Sequence, residues 1–283
     1  MAPSYGTLSS NNNPHHANGL IDPADQERAT LLNKDQETYT HRLKHHLTTN
    51  IDKTWGDLVL LACYIITGLL DSSSTQAYGS FVSMQTGNTV YVGLGLAAPN
   101  ASTRWIRSLI SVSCFCAGSA FFSAWHRRLG ARKRWVMVAS YTLQTLLMIA
   151  AAVMITFGPT AKGSEGPVTV WVGVPLALIA FQSAGQAVTS RVLQYGGLTS
   201  VVLTSIYCDL FSDQKLFTSG LRENPERNRR AAAPVLLLIG AVLGGVWSSH
   251  TTYGLTGAIW TAVILKIGVT SAWLFWRAEP GSH

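Results

Sequence analysis

Two charged side chains stand within long apolar stretches of this sequence. Asp71 directly follows the apolar run from Leu58 to Leu70, and Lys266 lies in the middle of a run from Leu255 to Trp276. A charge at the centre of a bilayer costs about 2.5–3.5 kcal/mol on insertion scales, so each needs a partner, a wet cavity or an exchangeable proton. Asp71 suits a bound proton or a substrate cation. At headgroup depth, or as a helix cap, it would instead be structural. Lys266 is too deep to reach the interface easily, and a pair with Asp71 or Asp209 would cancel much of its burial cost; nothing in the sequence selects between them. The second cluster is Met84-Gln85-Thr86-Gly87-Asn88-Thr89. Gly87 permits a turn or a close approach, while Thr86, Asn88 and Thr89 offer short donors and acceptors to a broken backbone or to a ligand. With Gln76 from the polar stretch after Asp71, the candidate substrate- or ion-binding residues are Asp71, Gln76, Thr86, Gly87, Asn88, Thr89, Asp209 and Lys266.

The elements that must position these residues are membrane helices. Only 12% of the 283 residues are charged while 47% are hydrophobic, about half the usual charged share of a soluble protein. Six apolar segments approach the roughly 20 residues needed to cross a bilayer. They begin at Leu58 and then run from Trp105 to Trp125, Trp135 to Phe157, Val168 to Val188, Pro234 to Ser249 and Leu255 to Trp276. Thirteen apolar residues from Leu58 to Leu70 cannot span alone, so the first helix must continue through Asp71-Ser72-Ser73-Ser74-Thr75-Gln76 facing protein or water. Two further stretches, Phe81 to Ala98 and Tyr195 to Leu210, are shorter or more polar. Charge arbitrates their course. The loop Arg127 to Arg134 carries five basic residues and no acid, so it belongs inside, as does the loop Ser212 to Ala233. Six crossings satisfy this with both termini cytoplasmic, and the two short stretches then read as re-entrant segments. Arg104 and Arg107 are the awkward pair, placed at the outer headgroups.

An internal repeat accompanies this arrangement. Without a gap, Gly68 to Val90 lies over Phe181 to Leu203, each passing from an apolar helix through a Ser/Thr/Gln-rich break into a Thr-led apolar run. Three crossings per half give halves of opposite orientation, about 57–157 and 168–276, the plan of many secondary transporters. The expected fold is therefore an all-α polytopic membrane protein with six transmembrane helices, two short re-entrant segments and a 3+3 inverted repeat, covering residues 51–278. Residues 1–50, rich in Ser, Asn, His and Asp, read as a disordered cytoplasmic tail, with an acidic dileucine-like motif at Glu27 to Leu32. Gly240 and Gly244 form a GxxxG that serves either a homodimer face or packing within one chain.

Several classes are disfavoured. The net charge of +7 sits in short loops where it sets topology, and no nucleic-acid-binding pattern accompanies it. Cys63, Cys114, Cys116 and Cys208 all fall in apolar segments, against a surface disulfide framework or a CxxC zinc pattern. No nucleophile elbow, HExxH, phosphate loop or dinucleotide fingerprint is present. Neither enzymatic activity nor a cofactor or metal is expected. The expected partners are the lipid bilayer and an unidentified small molecule.

Gly68-Leu69-Leu70-Asp71, the run Phe81 to Val90 with its Thr86-Gly87-Asn88, and the Thr-led stretch Thr199 to Asp209 together resemble the YoaK-like membrane protein family, also called domain of unknown function 1275. The resemblance covers roughly Asp57 to Trp276. It implies a Gly-x-x-Asp in the first helix and a Phe-rich turn into Thr-Gly-Asn. Ser72-Ser73-Ser74 departs from the small apolar residues such a family shows after the Asp. The resemblance implies fold and membrane class and leaves substrate and activity open. The long Asn/His-rich tail would fit a fungal member. The function expected from the residues is a secondary transporter or permease for a small metabolite in the plasma or vacuolar membrane; the alternative is a non-transporting scaffold that recruits partners through its tail.

Overall fold

The computed structural model describes residues 40–159, 163, 166–218, 220 and 222–279. Most of the tail and its dileucine-like motif lie outside the described residues. The chain divides into two compact units, residues 1–45 and 46–283. Residues 40–48, read from sequence as part of the tail, are helical. Arg42, Leu43, Lys44 and Leu47 favour helix, and no Gly or Pro interrupts them.

Eight helices follow: α1 (Gly56–Tyr78), α2 (Gln85–Ala97), α3 (Arg104–Leu129), α4 (Arg134–Phe157), α5 (Val170–Val192), α6 (Thr204–Phe211), α7 (Pro225–His250) and α8 (Gly254–Leu274). Among the described residues the only strand pairing is two isolated bridges, Asn50 with Lys133 and Ile51 with Ala278. Six helices, α1, α3, α4, α5, α7 and α8, are long and apolar enough to cross a membrane. The chain is thus an all-α polytopic membrane protein. The two expected short stretches become α2, of 13 residues, and α6, of 8.

Local chemistry explains where these helices start and stop. α1 continues through its polar stretch, as thirteen apolar residues too few to span alone require. Ser72 and Ser73 donate to Leu69 O at 3.2 and 2.8 Å, and Ser74 donates to Ser80 O at 2.9 Å, so the hydroxyls are satisfied without leaving the helix. The chain turns only at Gly79, whose φ of 70° ends α1 in the left-handed conformation open to glycine. α7 begins nine residues before the apolar run starting at Pro234. Asn224 caps it by accepting from Arg227 N at 3.0 Å, and Pro225 occupies the first turn, where its missing N–H does no harm.

α1 and α5 form the centre. In each, 72% of the apolar window is buried by the rest of the protein. The principal packing pairs are α1 with α7, α3 with α5, α4 with α8, α4 with α5, α1 with α8, and α2 with α3. α7 turns Val235, Leu238, Val242 and Val246 outward, as a lipid-facing helix does. Its other face meets α1 at backbone distance: a Cβ on Gly68 would lie 2.0 Å from Leu237 O, and one on Gly240 would lie 2.1 Å from Ile65 O. Gly240 and Gly244 therefore face α1 of their own chain, and a homodimer would have to use a different surface.

Candidate functional site

Asp71 lies two turns before the end of α1, and the chain returns to it after Gly79. Its Oδ1 accepts from Val82 N at 2.8 Å and Ser83 N at 2.9 Å, and Ser83 Oγ donates to its Oδ2. The carboxyl group thus satisfies the non-helical backbone that leads into α2. Asn88 completes the brace. Its Oδ1 accepts from Phe81 N and Ser80 Oγ, both at 3.0 Å, while its Nδ2 donates to Phe81 O at 2.8 Å and to Gln85 Oε1 at 2.9 Å. A Cβ on Gly87 would stand 2.7 Å from the Phe81 ring, so glycine admits the ring, which also stacks with Tyr91.

The second interruption lies between α5 and α6. Here Gln186, buried in α5, donates from Nε2 to Cys63 O at 3.1 Å, Thr67 Oγ1 at 3.0 Å and Ser200 Oγ at 3.2 Å. Thr67 in turn donates to Ser200 O at 2.6 Å. Ser200 has a φ of 59°, a conformation that for a non-glycine residue persists only when its surroundings hold it. Lys266 from α8 reaches this knot. Its Nζ donates to Gln186 Oε1 at 2.9 Å and stands 5.0 Å from the centre of the Tyr141 ring. Lys266 is fully buried, and its partners are an amide and an aromatic face. Neither Asp71 nor Asp209 is the counter-charge expected from sequence. Asp71 is held at the first interruption, and Asp209 is exposed on α6.

A cleft of about 300 Å³ joins the two interruptions. Residues 83, 85 and 86 enter it from the start of α2, residues 199, 201 and 202 from the approach to α6, and α3 and α5 form its sides. Of the eight sequence candidates, Thr86 alone lines this cleft. Asp71 and Asn88 hold the lining residues Ser83 and Gln85, Gly87 packs against Phe81, and Lys266 bonds Gln186. Gln76, Thr89 and Asp209 are exposed elsewhere. Sequence reasoning missed Ser83, Ser119, Ser123 and Thr199 as lining groups. The one available signal was the four-residue spacing of Ser119 and Ser123, which puts both hydroxyls on one helix face.

The far end is tied down by arginines. Arg107, 1% exposed, donates to Tyr78 O at 2.9 Å and Gly163 O at 3.3 Å, and also to Gly166 O. Arg104 donates to Gly79 O, with its guanidinium 3.5 Å from the centre of the Tyr91 ring. The pair that looked awkward in sequence therefore fastens loops to α3. At the other end of the bundle, Arg229 pairs with the buried Asp57 at 2.6 Å. Beside it, Asp213 accepts from Lys215 N and Asn224 Nδ2, both at 2.8 Å, and hydrogen bonds from the Lys215 backbone and Asn224 hold its carboxyl below the usual range.

Six apolar crossing helices, two short helices entered through hydrogen-bonded interruptions, and a cleft where those interruptions meet define a polytopic membrane protein with an internal polar site. Residues 59–272 match the family described as protein of unknown function (DUF1275), and the chain belongs to that family. No curated protein and no solved structure matches it.

Proposed function

We propose that this protein is a secondary transporter that moves a small metabolite through the cleft between its two interruptions. The observation that carries the reading is the position of that cleft. Thr67, which fastens Ser200, lies eleven residues into α1, about 16 Å along its axis and so near the middle of a hydrocarbon core of roughly 30 Å. Non-helical backbone at that depth belongs where it lines a cavity, and paired broken segments at the midplane are where inverted-repeat transporters bind their substrates.

The helix packing supports a repeat of two halves, α1 to α4 and α5 to α8. Exchange of the halves turns the contact of α1 with α7 into that of α5 with α3, and α4 with α5 into α8 with α1. Burial follows the same pairing: the buried shares of the apolar windows are 72% and 72% for α1 and α5, 22% and 17% for α3 and α7, and 39% and 33% for α4 and α8. Three crossings per half make the halves antiparallel, and α2 and α6 are then re-entrant from opposite faces. The positive-inside rule applied to the basic loops supports cytoplasmic termini. Ser123 and Arg191, near the ends of α3 and α5 on that side, would then extend the cleft from the midplane toward the cytoplasm, with Arg104 and Arg107 closing the outer end.

The test compares small molecules in cells and medium for a null strain carrying either the intact protein or Ser119→Trp, which fills the cleft from α3. At least one compound is expected to redistribute with the intact protein and not with the variant at matched protein levels. If the intact protein and the empty null strain give the same distribution for every compound, the transport reading fails, and a scaffold acting through the N-terminal region takes its place.

A further inference from the structure

The charge on the cleft wall is one-sided. Arg191 is the sole ionisable group among the cleft-lining residues. Among the described residues the one hydrogen bond of its guanidinium is a long 3.5 Å contact with Ala187 O in its own helix, and the residue is exposed, so its planar fork is available. The first turn of α2 opens on the same space, and its N-cap Met84 supplies no side-chain acceptor. An uncapped helix start adds positive potential, though it is the guanidinium that offers two parallel donors. The remaining wall is neutral. Hydroxyls come from Ser83, Thr86, Ser119, Ser123 and Thr199, and apolar surface comes from Phe115, Ala187, Val188, Val201 and Val202.

We infer that the transported solute is a small organic monocarboxylate, with its carboxylate on the Arg191 guanidinium and a neutral, partly apolar body against the hydroxyl and valine wall. The inference rests on the transport reading and narrows it. One fork matches one carboxylate. A second anionic group would find no second cation on the wall, because Lys266 is enclosed behind Gln186. A cationic solute would meet Arg191, while the carboxylate behind Ser83, that of Asp71, is buried and committed to residues 82 and 83. A bare inorganic anion would leave the apolar half of the cleft unfilled.

The full-length chain is purified, reconstituted in liposomes and supplied with radiolabelled lactate, benzoate, glucose or choline. In parallel, cells of the null strain carrying intact protein or Arg191→Gln are profiled for redistributed compounds. The expected result is uptake of lactate or benzoate, reduced on the order of tenfold to a hundredfold in Arg191→Gln, the loss of one charge-assisted anchor. The compounds redistributed in cells should carry a single carboxylate. Arg191→Lys should retain part of the uptake, because it keeps the charge and loses the fork. All three proteins should melt alike, since Arg191 is exposed. Carboxylate uptake left unchanged by Arg191→Gln overturns the inference, and so does movement of glucose or choline alone; the transport reading survives both results. If no compound moves in liposomes or in cells, both fall together.

Discussion

The carboxyl of Asp71 gives opposite predictions under two roles, and the geometry selects between them. As a brace, it accepts from two backbone N–H groups and one hydroxyl of residues 82 and 83. In Asp71→Asn, the amide oxygen can keep both N–H bonds, and the amide nitrogen can donate to Ser83 Oγ, which turns to accept. Weakening charge-assisted bonds to neutral ones costs about 1 kcal/mol each, and removing a charge from membrane depth returns about 2.5–3.5 kcal/mol. The two effects nearly cancel. Asp71→Leu instead strands two buried N–H groups at about 1–3 kcal/mol apiece, a loss that lowers the melting temperature by about 5 °C or more. The assay is thermal unfolding of the detergent-solubilised protein followed by size-exclusion fluorescence, together with solute redistribution in cells. Asp71→Asn should stay close to the parent in both measurements, while Asp71→Leu should fail in both. An Asp71→Asn protein that melts like the parent but no longer transports would refute the brace argument and restore Asp71 as a proton- or cation-carrying group.

Three further perturbations address separate links. Gly240→Leu should destabilise by about 1–3 kcal/mol or more, since its side chain meets α1 backbone; Gly245→Leu, with open space at its Cβ, should be neutral in the same melting assay. Lys266→Met removes a buried ammonium that has no carboxylate partner among the described residues but strands the buried Gln186 Oε1 at about 1–3 kcal/mol, so the two effects should largely offset each other and stability should hold within about 1 kcal/mol. Transport should nevertheless drop about tenfold, measured as initial uptake, because Gln186 loses the donor that orients it toward Ser200. With the four native cysteines replaced, Asn100→Cys should react with an impermeant maleimide on intact cells, whereas Ala131→Cys should react only after permeabilisation.

The spans were legible because long apolar runs are a chain-local signal. Even the two short helices could be read, from runs too short or too polar to cross and from the basic loops beside them. The site was less legible for a specific reason. Asp71 serves backbone N–H groups of residues 82 and 83, and backbone atoms carry no side-chain signature in a sequence. Lys266 was recognised as anomalous, but its acceptor is the amide of Gln186, and glutamine in a membrane helix reads equally well as packing glue. Ser119 and Ser123 look like small packing residues until α5 and residues 199–202 stand opposite them. Arg107 looked misplaced because the acceptors it meets include carbonyls at the end of α1 and in the loop before α5, which no residue type announces.

Unlike chemistry fastens the two interruptions. The first is held by a carboxyl group that receives two backbone N–H groups, with Asn88 saturated beneath it. Charge-assisted bonds of this kind are roughly twice as strong as neutral ones. The second hangs on a neutral amide and two hydroxyls, with Ser200 in a left-handed conformation that stores of order 1–3 kcal/mol. That amide depends in turn on a lysine whose burial is offset by one amide oxygen and a ring face. Strain, neutral bonds and an unpaired charge gather on one side of the cleft, and saturated hydrogen bonding on the other. A cleft built this way has a rigid wall at residues 82–88 and a yielding one at residues 199–203. If the proposed transport takes place, the motion that admits or releases a solute is therefore cheapest at the second interruption, where Gln186 links Lys266 to the backbone that would move.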